Sequence, residues 1–249
     1  MIHLPRTARR KSEGGYYHVI LRGISRQILF EDEEDNERFL STVHRYRREL
    51  GFQLIAWCLM ENHVHMLLHD SREQLDLIMK KIAGSYAIYY NRKYGRSGHL
   101  FQDRFMSEAI DSDEYLLTVV RYIHRNPEKA GIARAEEYRW SSYRDYLSPG
   151  SFTDNGLVLE MLGGSSKFEA WMSRRADDKC LDVQYKRVVQ DKDAQKLIRA
   201  AFKLSSGTQL QQFDKKRRDA ALHELKEHGL TIRQLERLTR INRGIIQRA

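Results

Sequence analysis

Two histidines separated by one residue have a spacing that suggests chemistry. They stand in the segment His63-Val64-His65. Side chains of a β-strand alternate between its two faces, so His63 and His65 project from one face and Val64 from the other. Two neighbouring imidazoles can share one divalent cation. The alternative is a pair of hydrogen-bonded histidines on a half-exposed sheet, because this pattern also arises by chance in a chain with 10 histidines.

A tyrosine and an asparagine four residues apart form a second candidate pair, Tyr122 and Asn126. Residues at this spacing lie on one face of a helix. The apolar stripe of the same helix lies on a different face and consists of Leu116, Val120 and Ile123. We therefore expect Tyr122 to present its hydroxyl to a cleft and Asn126 to offer a carbonyl oxygen that a hard cation accepts. The alternative is an ordinary tyrosine without a chemical role, one of 13.

Basic side chains are concentrated in two regions that suit a polyanion. The net charge is +9, and residues 191–249 carry 14 basic and 7 acidic side chains. Clustered positive charge attracts nucleic acid by releasing counterions. A second basic set stands beside Tyr94, His99 and Phe101, a combination suited to stacking and phosphate contacts on single-stranded DNA. This set comprises Arg92, Lys93, Arg96 and Arg104. The alternatives are a well-solvated helical tail and structural roles for the aromatic residues.

The elements that must position these residues follow an α+β order. In chain order they are a strand at 16–21, a helix at 35–50, strands at 52–60 and 63–69, a helix at 72–93, a strand within 101–110 and a helix at 111–125. Asp111 and Glu114 match a capping box at the start of the last helix. The order predicts a ferredoxin-like antiparallel sheet with helices on one face.

Two breaks in the pattern divide the chain. Gly, Pro and Ser residues cluster at 148–151 and again at 163–166, and such clusters mark loops. We expect a catalytic domain at 1–147, a helical connecting segment at 148–190 and an all-helical C-terminal domain at 191–249.

The C-terminal part has the pattern of a helix-turn-helix. Helices are expected at 195–202 and 214–227, followed by two shorter ones that separate near 239–241. Thr231 and Gln234 match a capping box. The pattern is similar to the DNA-binding domain at the end of bacterial replication initiators. The expected DNA contacts are Arg233 and, on the second helix, Asn242, Arg243, Gln247 and Arg248. The alternative is a helical cap packed on the catalytic domain.

The composition is that of a globular protein of the cytoplasm. Hydrophobic residues make up 41% and charged residues 31%. The longest apolar run, residues 54–60, is far shorter than the roughly 20 residues that a bilayer requires, so no membrane partner is expected. The basic residues 1–11 lead into no apolar segment, and we expect no signal peptide. Cys58 and Cys180 form no CxxC pair, which fits a reducing compartment and excludes a cysteine-based zinc site.

Several motifs in order resemble those of the single-tyrosine HUH transposases. They read CLMENHVHMLL at 58–68, YGRSGHLFQDRF at 94–105, YIHRNPEKAG at 122–131 and WSSY at 140–143. The resemblance covers about residues 15–147. Within this family, the length and the helical tail are similar to the REP-associated tyrosine transposases.

The resemblance implies a ferredoxin-like domain that nicks and rejoins single-stranded or hairpin DNA. It implies that Mg²⁺ or Mn²⁺ is bound by His63, His65 and Asn126. It also implies that Tyr122 attacks a phosphodiester, which leaves a 5′-phosphotyrosine and a free 3′-OH and keeps the phosphoester energy for rejoining. Glu61 departs from the family, since many relatives have proline there. The resemblance is compatible with a monomer or a homodimer.

Two other functions are compatible with the same residues. One is a non-catalytic, sequence-specific DNA-binding regulator that uses the C-terminal domain. The other is a metal-dependent nuclease in which water attacks in place of Tyr122. No general base is evident from the spacing, because helical geometry directs the nearby His124 elsewhere.

Overall fold

The computed structural model describes residues 9–148, 152–174, 178, 180–182, 191–227, 230 and 232–249. The chain separates into two compact units, and the division lies between Asp182 and Val183. The domain boundaries expected at residues 147 and 190 stay predictions. Among the described residues, none of the helices combines the length and the apolar character needed to cross a bilayer.

An antiparallel sheet lies at the centre of the first unit. In the described residues its strands are β1 (Tyr16–Arg22), β2 (Gln53–Met60), β3 (His63–His69) and β4 (Met106–Ile110). Their order across the sheet is β2-β3-β1-β4, and each neighbouring pair is antiparallel. This is the order that a ferredoxin-like β-α-β-β-α-β chain produces, so the predicted α+β class is confirmed.

Two long helices, α1 (Glu33–Leu50) and α2 (Leu75–Lys93), cover one face of this sheet. Asp32 and Asp35 form a capping box that begins α1, and Gly51 ends it with a positive φ of 76°. Positive φ is a conformation that glycine adopts without strain. The apolar side chains that join these helices to the sheet include Phe39, Val43, Ile78, Ile82, Val64, Met66 and Leu68.

A third helix, α3 (Asp113–His124), packs on the opposite face of the sheet. The expectation that the helices lie on one face is therefore correct for α1 and α2 and wrong for α3. The physical reason is that β2 is apolar on both faces, so both faces must be covered. The side chains buried beneath α3 include Ile55, Cys58, Met60 and Leu67.

The start of α3 differs from the predicted capping box. Ser112 caps the helix by accepting a hydrogen bond from the Tyr115 backbone N–H. Asp111 instead accepts hydrogen bonds from the Glu13 backbone N–H and the Arg10 guanidinium. The hydrogen bond from Glu13 is the largest cause that lowers the pKa of Asp111. Asp111 therefore ties the N-terminal segment to the strand edge.

The segment that follows α3 completes the covering of this second face. It contains α4 (Asn126–Lys129), a 3₁₀ helix (Ser142–Tyr146), α5 (Gly156–Leu162) and α6 (Ser165–Met172). The Phe168 ring of α6 stacks on Tyr146 with the ring centroids 4.6 Å apart. The Tyr146 hydroxyl donates a hydrogen bond to the Ile55 carbonyl. Residues 156–172 thus belong to the core of the first unit.

The second unit is helical in its described residues. Its helices are α7 (Asp191–Phe202), α8 (Lys215–Glu227), α9 (Ile232–Thr239) and α10 (Arg243–Arg248), with a 3₁₀ helix at Gly207–Gln212. Apolar side chains from these elements form a core of their own, which includes Ile198, Leu210, Leu222, Leu225, Leu235 and Ile246. Three residues, 240–242, separate α9 from α10.

Candidate active site

The two histidines of β3 lie side by side beneath α3. His63 and His65 are fully buried, and their ring centroids are 4.9 Å apart with the planes nearly perpendicular. Val64 belongs to the apolar layer on the other face of the sheet. The strand therefore separates the imidazoles from Val64, as the alternation requires. The alternative of a half-exposed pair does not hold, because α3 and the segment after it cover this face.

A third histidine, His18 of β1, completes the cluster. Its Nε2 atom lies 3.0 Å from Nδ1 of His65. Its Nδ1 atom lies 4.0 Å from the Glu108 carboxylate, and His18 and Glu108 are cross-strand partners in β1 and β4. Sequence reasoning missed His18. The available signal was a single histidine within an otherwise apolar and aromatic strand, but only strand order shows which residue it contacts.

Tyr122 extends from α3 toward the same cluster. Its ring centroid lies 5.7 Å from that of His65 and 5.8 Å from that of His18. The structure thus brings the phenol and the histidines together. The side chain does not open into a cleft, however, because Tyr122 is only 1% exposed. Its hydroxyl makes no hydrogen bond with any residue that the structure describes, and Asp182 and Asn126 are its polar neighbours.

Two residues that follow Tyr122 in the chain, Asn126 and Lys129, also belong to the cluster. The Asn126 amide nitrogen donates a hydrogen bond to the Tyr122 carbonyl at 3.2 Å. The Asn126 side chain also interacts with His63 and favours the protonated imidazole, which raises the pKa of His63 against the larger effect of burial. The Lys129 ammonium lies 3.9 Å from the centroid of the Tyr122 ring. Lys129 lies inside the motif at 122–131, which is the signal that could have identified it.

Residues near the end of the first unit contribute to the burial of Tyr122. The Asp178 carboxylate accepts hydrogen bonds from the guanidinium of Arg121, the residue before the tyrosine. The Leu181 backbone N–H donates to the Glu108 carboxylate at 3.0 Å. Asp178 and residues 180–182 are therefore held against α3 and β4. Tyr122 is therefore closed off from solvent in this structure.

Burial controls the protonation of the cluster. It lowers the pKa of His63 to about 3, with the positive charge of Arg22 as the next cause. It also lowers the pKa values of His65 and His18. For Tyr122, burial and then the Asp182 carboxylate raise the pKa above its usual value. Near neutral pH the site thus holds neutral imidazoles and a protonated phenol.

Comparison with known proteins identifies the domain that carries this cluster. Residues 11–126 match the family model described as "Transposase IS200 like". This part of the chain is similar to the IS200-like transposases. The resemblance indicated by the sequence motifs is thereby confirmed. A comparison with curated proteins finds no match.

Two solved structures were found to be similar to this chain, to different degrees. One is described as "Structure of the REP associates tyrosine transposase bound to a REP hairpin"; it is 15% identical, with a TM-score of 0.53, and the match covers 72% of this chain and 96% of that chain. A crystal structure of a putative transposase from Deinococcus radiodurans R1 is 18% identical, with a TM-score of 0.35, and covers 48% of this chain and 96% of its own. At this identity the first match establishes a shared fold.

The donor atoms of the IS200-like domain suit a divalent cation. Among the described residues, no group of three or more His, Cys, Asp or Glu side chains could hold a metal ion. The candidate set is of a different kind, since it joins two imidazoles to the Asn126 amide oxygen. His65 Nε2 is buried and has no hydrogen-bond partner in the described part of the chain. A buried nitrogen without a partner is costly unless a ligand engages it, so this donor set fits a cation.

His124 lies apart from the cluster, as its helical position predicts. Its Nε2 atom lies 2.8 Å from the Ser142 hydroxyl, and its ring packs edge-on against Tyr146 and Phe168. Burial lowers the pKa of His124 to about 3. Its contacts therefore give it a structural role in the core.

The basic set near the end of α2 divides into paired and exposed side chains. Lys93 forms ion pairs with three carboxylates of the α1 start, those of Asp32, Glu34 and Asp35. The Arg96 guanidinium lies 5.7 Å from the Tyr90 ring centroid. These contacts hold α2 and the following loop in place. Arg92 and Arg104 are exposed at the surface.

The aromatic members of that set have structural contacts as well. The Tyr94 hydroxyl donates a hydrogen bond to the Asp35 carboxylate at 2.7 Å. Phe101 packs against the apolar core beneath α1 and α2. Stacking of these rings on DNA bases stays a prediction.

The DNA contacts predicted for the second unit are described only in part. The side chains of Arg233, Arg243, Gln247 and Arg248, and residue Thr231, lie outside the described part of the chain. Asn242 is exposed, and its side-chain oxygen caps α10 by accepting a hydrogen bond from the Gly244 N–H at 2.8 Å. The helix-turn-helix interpretation stays a prediction.

Proposed function

We propose that the first unit is a transposase enzyme that cleaves and rejoins single-stranded or hairpin DNA through Tyr122. The observation that supports this is the convergence of the Tyr122 ring on the histidine cluster, 5.7 Å from His65. A phenol and a set of imidazoles from different elements meet at one buried point, together with the Lys129 ammonium. The similarity of residues 11–126 to the IS200-like transposases supports the same activity.

In the proposed reaction, the Tyr122 oxygen attacks the phosphorus of a DNA phosphodiester. The new O–P bond forms as the bond from phosphorus to the 3′ oxygen breaks. The phenol proton leaves, and the 3′ oxygen departs as a hydroxyl after it gains a proton. The product is a 5′-phosphotyrosine, and attack by another DNA 3′-OH reverses the step and joins the strands.

The surrounding residues support this chemistry in distinct ways. His63, His65 and Asn126 are proposed to hold Mg²⁺ or Mn²⁺. When bound, the cation would polarise a phosphate oxygen and neutralise charge in the transition state. Lys129 places a positive charge over the Tyr122 ring and favours the negative charge that develops on its oxygen. The neutral state of the buried imidazoles leaves a lone pair on each for ligation.

DNA recognition is proposed to involve both units. The REP-associated tyrosine transposase that shares this fold is described as bound to a REP hairpin, which favours the same class of DNA here. Residues 191–249, with 14 basic and 7 acidic side chains, are proposed to bind the duplex part through helix-turn-helix residues Arg233, Asn242, Arg243, Gln247 and Arg248. Exposed Arg92 and Arg104 are proposed to contact the single strand. Lys93 and Arg96 stay in the proposal as weaker contacts, because protein groups already engage them.

The deciding experiment is a search for a covalent adduct. Hairpin DNA labelled at its 5′ or 3′ end is incubated with the full chain and Mg²⁺ or Mn²⁺, and denaturing gels reveal any protein–DNA adduct. We expect an adduct on the downstream fragment, attached to the peptide that contains Tyr122. The Tyr122→Phe protein is expected to bind the hairpin and form none, while Tyr146→Phe forms it.

Other outcomes would assign a different function. Cleavage without an adduct, at equal rate in the Tyr122→Phe protein, would indicate a nuclease that uses water. Binding without cleavage under any divalent cation would indicate a DNA-binding regulator. An unchanged affinity after removal of residues 191–249 would remove the second unit from the proposed recognition.

A further inference from the structure

His18 lies between His65 and the Glu108 carboxylate, and this arrangement specifies which ring nitrogens carry protons. We infer that His18 and Glu108 are positioning residues that hold His65 as its Nδ1–H tautomer, so that its Nε2 lone pair faces the site. The inference rests on the proposed function only in assigning a cation to that lone pair. The arrangement of Glu108, His18 and His65 is independent of any reaction.

The contact between the two imidazoles carries one proton. His18 Nε2 and His65 Nδ1 are 3.0 Å apart, which is a hydrogen-bond distance. Both rings are fully buried, where an unpaired positive charge is costly, so both are taken as neutral. A neutral imidazole has one N–H donor and one lone pair. Two arrangements are therefore possible, and they differ in which ring donates.

The Glu108 carboxylate selects between these arrangements. If His18 donated through Nε2, its Nδ1 lone pair would face the negative carboxylate at 4.0 Å. If His65 donates through Nδ1, His18 accepts and directs its own Nδ1–H toward Glu108. The second arrangement places a positive dipole end toward the negative charge. The Leu181 N–H, at 3.0 Å, fixes the carboxylate oxygen in that position.

The two outer nitrogens of this pair differ in their surroundings. His18 Nδ1 and His65 Nε2 are both buried, and neither has a hydrogen-bond partner among the described residues. One of them must carry an N–H, and only His18 Nδ1 has a carboxylate 4.0 Å away to attract that proton. The proton is therefore placed on His18 Nδ1, which leaves His65 Nε2 as a lone pair. An imidazole in water prefers the opposite tautomer, so the protein must impose this one.

The consequence is that residues behind the proposed ligands hold one of those ligands in place. A histidine that binds a metal through one nitrogen commonly donates its other N–H to a fixed acceptor, which sets the ring orientation and raises its basicity. His18 supplies that acceptor, and Glu108 orients His18. Residues in this role touch neither the cation nor the DNA.

The test measures the tautomer directly. The full chain is labelled with ¹⁵N-histidine, and long-range ¹H–¹⁵N spectra report which ring nitrogen carries the proton, with His65 assigned from a His65→Gln sample. We expect the Nδ1–H form of His65 in the unaltered protein. His18→Phe removes the acceptor, and we expect the Nε2–H form to appear. His18→Gln retains an amide oxygen near the same place, and we expect it to preserve Nδ1–H.

Cation affinity provides a second readout that needs no DNA. Free Mn²⁺ measured by electron paramagnetic resonance is expected to show affinity about 10- to 100-fold weaker in His18→Phe and Glu108→Leu, the usual loss for such partners. His18→Gln is expected to bind Mn²⁺ with an affinity close to that of the unaltered protein. Should His18→Phe fail to fold, Glu108→Leu, at a partly exposed position, takes its place in both measurements.

The inference and the proposed function fail in different ways. An Nε2–H form of His65 in the unaltered protein, or an Nδ1–H form that persists in His18→Phe, would overturn the inference even if the Tyr122 adduct forms. Mn²⁺ affinities that are equal in all variants would also overturn the positioning role. Absence of the adduct together with the expected tautomers would overturn the proposed function and leave the positioning of His65 by His18 established.

Discussion

Replacement of the candidate nucleophile is expected to stabilise the fold while it removes activity. The Tyr122 hydroxyl is buried and has no hydrogen-bond partner among the described residues. Leaving a buried hydroxyl unpaired costs about 1–3 kcal/mol in stability. Tyr122→Phe deletes only that oxygen and leaves the ring contacts with His65 and His18 in place. We therefore expect the free energy of unfolding to rise by about 1 kcal/mol, the lower end of that range.

The matched control is a second buried tyrosine in the same apolar cluster. Tyr146 is also fully buried, but its hydroxyl donates to the Ile55 carbonyl at 2.7 Å. Ile55 falls at the irregularity where the pairing of β2 with β3 shifts, so this carbonyl depends on a side chain for its hydrogen bond. Tyr146→Phe leaves it unpaired and is expected to lower the free energy of unfolding by about 1–2 kcal/mol. The same substitution is thus expected to change the free energy of unfolding in opposite directions at the two sites.

The assay is unfolding followed by tryptophan fluorescence. The chain contains 3 tryptophans, at positions 57, 140 and 171, all in the first unit. The signal therefore reports that unit and is insensitive to the helical second unit. For a protein of this size, 1 kcal/mol corresponds to a shift in Tm of about 2–4 °C.

One result would refute the reasoning. If Tyr122→Phe destabilises the protein as much as Tyr146→Phe does, the Tyr122 hydroxyl is hydrogen-bonded in the folded protein. The stabilisation expected from removing an unpaired buried hydroxyl would then be wrong. If Tyr122→Phe is stabilised but still forms the covalent adduct, Tyr122 is not the nucleophile.

Three further predictions concern charge, packing and DNA binding. Because Asp182 helps to raise the pKa of Tyr122, Asp182→Asn is expected to lower that pKa. The rate of adduct formation should then rise at lower pH than in the unaltered protein, and an unshifted pH profile would contradict this. Phe168→Ala removes a fully buried ring and is expected to lower the free energy of unfolding by about 3–5 kcal/mol, measured by tryptophan fluorescence. A decrease below about 1 kcal/mol would contradict the placement of α6 in the core of the first unit. Arg104→Gln is expected to reduce the slope of log DNA affinity against log salt concentration by about 1. Lys93→Gln is expected to leave that slope nearly unchanged, because the Lys93 charge is already paired with carboxylates. Equal changes in slope for the two variants would show that both side chains contact phosphate.

Local patterns were sufficient to predict most elements of the first unit. The alternation in β3 places His63 and His65 on one face, because successive side chains of a strand point in opposite directions. The spacing of Tyr122 and Asn126 places them on one side of a helix by the same kind of short-range geometry. The order of strands and helices was enough to predict the ferredoxin-like sheet.

Only the tertiary structure shows what those residues contact. His18 reaches His65 because β1 and β3 are neighbours, and Glu108 reaches His18 because β4 lies on the other side of β1. Tyr122 is buried because α3 covers the second face of the sheet. Lys93 is paired because the end of α2 lies beside the start of α1. These contacts join residues far apart in the chain, which local patterns cannot relate to each other. Residue type and periodicity determined which groups are present. The packing of distant elements decided which groups meet, which are buried and which charges are already neutralised.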